Sequence, residues 1–184
     1  TYPALREIVD DLVRTNKRVV FTMGKGGVGK TTIAATIALG LAEKGKKVHL
    51  ATTDPAAHLG YIIQESDAIR MSRIDEKQEL ADYQEEVLTK ARQTMSPEDL
   101  AYVEEDLRSP CTQEIAVFRR FADIVATVDA DVVVIDTAPT GHTLLLLDSS
   151  QSYAKEVERT SGEGPESVRQ LLPVLQDPQQ TEVV

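Results

Sequence analysis

Between a short β-branched run, Arg18 to Met23 (RVVFTM), and a helix-patterned stretch opening at Thr31 lies a loop carrying Gly24, Gly26, Gly27 and Gly29. A strand that ends in glycines and continues at once as a helix is the first part of a βαβ unit. Thr31 to Lys44 has apolar residues at Ile33, Ile37 and Leu41 and again at Ala34, Ala38 and Ala42, the spacing of a helix packed on a sheet. Lys47 to Thr53 (KVHLATT) is the next strand, and Asp131 to Asp136 (DVVVID) has the near-continuous apolar character of a central strand covered on both faces. This alternation predicts an α/β fold with a mostly parallel sheet flanked by helices, built as one domain over residues 1–184.

From about Gly60 to Arg108 the composition turns acidic, polar and helix-favouring, which predicts an inserted helical subdomain over 60–108. Ser96-Pro97-Glu98-Asp99 supplies an N-cap, a proline at the first helical position and early carboxylates. The charge run reads as solvated helix surface, with a specific acidic contact site as the alternative. Cys111 to Val128 forms a further helix, with Ile115, Phe118, Ala122 and Val125 on one face. The polar segment Ser149 to Pro165 reads as a mobile loop or poorly ordered helix. The last residues, TEVV, look like the start of a strand, and position 1 is threonine. Together these suggest a piece of a longer protein with an incomplete sheet.

Charge and hydropathy exclude several classes of function. The net charge of −10 would repel a nucleic-acid backbone. No apolar run approaches the roughly 20 residues that span a bilayer, and the first residues, TYPALREIVDDL, lack the features of a signal peptide. The single cysteine cannot form an internal disulfide, which suits a reducing compartment. The expectation is a soluble cytoplasmic protein.

The chemistry concentrates in Met23 to Thr32 (MGKGGVGKTT), which satisfies the P-loop pattern G-x-x-x-x-G-K-[ST] from Gly24 to Thr31. Glycines let the backbone curl so that N–H groups and a helix N-terminus converge on phosphate oxygens. Lys30 then supplies a point charge and Thr31 a hydroxyl for Mg²⁺, with Val28 and Thr32 inside the same candidate nucleotide-binding stretch. A second acidic group must hold the metal's water shell, and Asp136 at the end of DVVVID fits, with a helix cap as the bland reading. The following DTAPTGHT, with Gly141 and small hydroxyl residues, suits a loop that senses a γ-phosphate. Asp54, in TTDPAAH, emerges at the carboxyl edge of the sheet and is the candidate water-positioning base, or else a turn former before Pro55. Lys25 exceeds what the pattern needs. On residues alone it is an exposed loop lysine or an extra catalytic cation, and Cys111 a packed small residue or a ligand.

GKGGVGKTT resembles the deviant Walker A loop of dimeric P-loop ATPases, and TTDPAAHL and DTAPTGHTLLLLD look like the switch segments of two of them: the arsenical pump-driving ATPases and the tail-anchored-protein targeting ATPases. RSPCTQEIAVFRRF resembles the metalloid-binding cysteine segment of the arsenical pump family, particularly its second nucleotide-binding half. PALREIVDDL and the run Ser72 to Asp75 extend the similarity over nearly the whole chain. The resemblance implies an ATPase, using ATP and Mg²⁺, that energises arsenite or antimonite extrusion through a membrane carrier. It implies pairing with a second half or a homodimer partner, Lys25 reaching the partner's nucleotide, Asp54 activating water, and Asp136 holding Mg²⁺ through water. It also implies Cys111, with His142 and Ser109 as candidate neighbours, binding As(III) or Sb(III) as an activating ligand. The alternative is a targeting ATPase that carries tail-anchored membrane proteins. With only three methionines in the chain, a methionine-rich client groove is poorly supported.

Overall fold

The structure, a computed structural model, describes residues 3–23, 30–53, 68–137 and 181–184. Its elements in chain order are α1 (Pro3–Arg14), β1 (Val19–Met23), α2 (Lys30–Glu43), β2 (Val48–Thr52), β3 (Ile69–Arg73), α3 (Glu76–Thr94), α4 (Pro97–Asp106), α5 (Pro110–Thr127), β4 (Val132–Thr137) and β5 (Thr181–Val183). The strands form one sheet in the order β3-β2-β4-β1-β5, and every pairing is parallel. The segment expected as a helical insertion contains α3 and α4, and also β3, which pairs with β2 inside the sheet. Ser149 to Pro165 lies outside the described residues.

Alternation along the strands sorts the core into two layers. Val19, Phe21, Ala51, Val133 and Ile135 face Tyr83, Val87, Ile115, Phe118, Phe121 and Ala122 of α3 and α5. Val20, Val48, Leu50, Val132 and Val134 face Ala34, Ile37, Ala38 and Leu41 of α2 and Val9 and Leu12 of α1. Successive residues thus serve opposite faces, the period-2 geometry of a strand buried on both sides. This is why DVVVID carries no polar alternation.

Helix ends follow from local chemistry. α1 and α2 both close with the paired bonds of a Schellman motif. After α1, Asn16 N–H donates to Val13 O and Lys17 N–H to Leu12 O, with Asn16 at φ 52°. After α2, Gly45 N–H donates to Ala42 O and Lys46 N–H to Leu41 O, with Gly45 at φ 86°. Asp75 caps α3 by accepting from Lys77 N–H and Gln78 N–H, and Ser96 caps α4 by accepting from Asp99 N–H with Pro97 in the first turn.

The packing of α1 on α2 depends on a missing side chain. A Cβ on Gly40 would lie 2.9 Å from Val9 Cγ2, so the two helices approach where α2 presents bare backbone. Mid-helix glycine costs about 1 kcal/mol relative to alanine. Gly40→Ala therefore gains in propensity and loses in packing. We expect it to destabilise the native protein but to stabilise a Val9→Ala background. A double-mutant cycle by urea unfolding should show a coupling of about 1–3 kcal/mol.

Candidate functional site

The carboxyl ends of three strands meet at one edge of the sheet. Met23, from which the chain enters the glycine loop, pairs with Thr137, while Thr22 and Thr52 both pair with Asp136. Asp136 therefore stands between two threonines in a row running across β1, β4 and β2. Strand alternation continues through this row: Val20, Val134 and Leu50, two residues back on the three strands, all face α2. Thr22, Asp136 and Thr52 share that face, and α2 begins with Lys30, Thr31 and Thr32.

All three members of the row are buried, with Thr22 1%, Asp136 0% and Thr52 1% exposed. Thr52 Oγ1 donates to Asp136 Oδ2 at 3.1 Å, and Thr53 N–H donates to Asp136 O at 3.2 Å. The Thr22 hydroxyl donates instead to a backbone oxygen, Ile135 O, at 3.5 Å. One residue further along, Ile74 N–H donates to Thr52 O, so β3, β2 and β4 are laced together at their carboxyl ends. A buried carboxylate held by a hydroxyl beside a helix start offers hard oxygen, the donor type that suits Mg²⁺.

The cysteine lies at the same edge but on the other face. α5 runs back from that edge: Gln113 Nε2 donates to Glu76 Oε2 at 3.0 Å, tying its first turns to the start of α3 directly after β3. Near its far end, Val125 O accepts from Arg18 Nη2 at the amino end of β1. Cys111 is the second residue of α5, and Ser109 immediately precedes the helix. Thr112 is 2% exposed and anchors this start, its hydroxyl donating to Asp106 O at 3.1 Å. The α5 layer packs on the face opposite that of Asp136, so the thiol-bearing turn and the carboxylate row are separated by the sheet.

Of the residues singled out in the sequence, the structure describes Asp136 and Ser109, together with the backbone of Lys30, Thr31, Thr32 and Cys111. Gly24, Lys25, Gly26, Gly27, Val28, Gly29, Asp54 and His142 lie outside the described residues. Among the described residues there is no group of three or more His, Cys, Asp or Glu side chains placed to hold a metal. Sequence reasoning missed Thr52. The available signal was a hydroxyl in a strand whose other inward positions are apolar.

A model of the family described as "Anion-transporting ATPase" matches residues 17–182. The chain belongs to this anion-transporting ATPase family. Among curated relatives, the "Arsenical pump-driving ATPase" of Escherichia coli is 45% identical over 183 residues, covering 99% of this chain and 31% of the relative. The "Putative arsenical pump-driving ATPase" of Halobacterium salinarum is 34% identical, covering 97% of this chain and 32% of the relative. More distant is "ATPase get3" of Schizosaccharomyces japonicus, 29% identical over 164 residues, covering 82% of this chain and 49% of that protein. The chain thus spans about a third of the length of the arsenical pump relatives it matches. No helix among the described residues of this family member is long and apolar enough to cross a membrane.

Electrostatics single out a carboxylate away from the strand-end row. Burial, only partly offset by Arg120 beside it, raises the pKa of Glu79 in α3. Arg120 Nε lies 3.6 Å from Glu79 Oε1. A folded-state pKa above the unfolded value means that the native state holds the proton more tightly. The contribution of Glu79 to stability is thus most favourable below the unfolded pKa and falls as pH rises through the folded pKa. Glu79→Gln removes that dependence. Compared with the parent in urea unfolding, the variant should fare better at about pH 7 than at about pH 3.

Proposed function

We propose that the chain is a nucleotide-binding half of an ATPase that energises the extrusion of arsenite or antimonite through a membrane carrier. The observation that carries the nucleotide part is the buried Asp136 carboxylate, on the α2 face of the sheet beside the strand that leads into Gly24–Gly29. The metalloid part draws on Cys111 at the start of α5 and on family relatives named for an arsenical pump.

In this reading the backbone N–H groups of Gly24 to Gly29 and the first turn of α2 surround the phosphates, and Lys30 adds a point charge. Val28 and Thr32 complete the loop. Thr31 would hold Mg²⁺ directly and Asp136 through water. When bound, that ion neutralises charge on the β- and γ-phosphates. Asp54 orients and deprotonates the attacking water. Lys25 reaches the nucleotide of a paired half, where a cation delivered in trans offsets charge developing in the transition state, as an arginine finger does. Hydrolysis then waits on association. Cys111 offers a thiolate, the donor that a soft As(III) or Sb(III) favours, with Ser109 and His142 as neighbours and further ligands from the paired half. The loop from Asp136 to Thr143 links the two sites, and the metalloid enters as cargo or activator rather than as a resident cofactor.

The test measures ATP turnover by the full-length protein with and without antimonite. Lys25→Ala should lower turnover by about 10³-fold or more if it acts as a trans cation. Cys111→Ser should abolish the antimonite response while leaving basal turnover in place. Native turnover in Lys25→Ala would remove the pairing mechanism. An antimonite response unaltered in Cys111→Ser would remove the ligand assignment.

A further inference from the structure

Thr52 is a hydroxyl-bearing residue in a strand whose other positions on the same face, Val48 and Leu50, are apolar and buried. It is the last residue of β2, 1% exposed, in a row directly above fully buried Leu50 and Val134. Burying a hydroxyl there costs free energy unless it is hydrogen-bonded. Its bond goes to the side chain of Asp136, at 3.1 Å. In this bond the Thr52 hydroxyl donates and the carboxylate oxygen accepts. A β-branched side chain is stiff about χ1, so the donor approaches from a direction set by the strand backbone. The backbone bond from Thr53 N–H to Asp136 O keeps the two strand ends in register.

Building on the nucleotide reading above, we propose that Thr52 is a positioning residue for Asp136. Its hydroxyl fixes the plane of the carboxylate and so aims the remaining oxygen, Oδ1, toward the metal's water shell at the start of α2. Such an arrangement lets Asp136 meet the hydrated ion without first losing rotational freedom. Partners that orient a metal-binding carboxylate typically contribute about 10–100-fold to metal affinity when intact. Thr22 provides a matched control: it pairs with the same Asp136 from the opposite side and is equally buried, but its hydroxyl lies near a backbone oxygen.

The experiment is calorimetric titration of ADP into the full-length protein, with and without Mg²⁺, for the parent, Thr52→Val, Thr52→Ser and Thr22→Val. Thermal unfolding of each variant without ligand gives the structural cost separately. We expect Thr52→Val to lose about tenfold in the Mg²⁺-dependent gain in affinity while its Mg²⁺-free affinity stays near the parent's. Thr52→Ser, which keeps the donor, should recover most of that loss, and Thr22→Val should retain the parent's Mg²⁺ dependence. The positioning role is overturned if Thr52→Val matches the parent, if Thr22→Val loses as much, or if serine recovers nothing. A parent protein that binds no ADP under either condition overturns the nucleotide reading itself, and the positioning role with it.

Discussion

The parallel pairing of β1 with β4 is the constraint on which the rest of the molecule depends. It sets Met23 opposite Thr137 and so brings the exit into the glycine loop beside the end of DVVVID. Because side chains alternate along a strand, the same register sends Thr22 and Asp136 to the α2 face together. A slip of one residue would carry the carboxylate to the α5 layer, toward Phe118 and Phe121. The apolar residues on both faces of β4 oppose that slip less than they would in a half-exposed strand, since either face accepts valine. The backbone bonds at the strand ends and the Thr52 hydroxyl therefore carry much of the specification.

The covering layers are held by different means. On one face α2 and α1 meet through small residues, with Gly40 allowing Val9 close to the backbone. On the other, α3 and α5 are joined by aromatic burial and a polar seam. Tyr83 lies in the core with the Arg119 guanidinium over its ring, Arg119 also pairs with Glu86, and Gln113 bonds to Glu76. Ion pairs at such exposed positions contribute little individually. The seam sets how the helices lie against each other while the buried side chains hold them to the sheet.

Much of this architecture was legible from residue spacing. RVVFTM, KVHLATT and DVVVID correspond to β1, β2 and β4, and the apolar spacing of Thr31 to Lys44 corresponds to α2. Ser96 and Pro97 mark the start of α4 as their cap chemistry implies. β3 was hidden because IRMSR places charged residues at every third position, and only Ile69 among its residues is fully buried. A strand with one polar face inside an acidic helical stretch has no distinctive local signal; its pairing with β2 is a tertiary fact. Within the candidate site, Asp136 was visible because it ends an apolar run. Thr52 was not, because a threonine at a strand end is common and its meaning lies in a partner 84 residues away.

The separation of Cys111 from the Asp136 row by the sheet limits how two such places could communicate. Parallel strands paired along both edges resist sliding, since a shift by a single position would break the backbone ladder and carry the Asp136 carboxylate to the wrong layer. Any message between the faces must then travel as a rigid displacement of whole strand ends, or around the rim through the connecting loops. The barrier between them behaves as a stiff plate rather than a flexible membrane, and a push delivered on one side is felt on the other only where the plate has an edge.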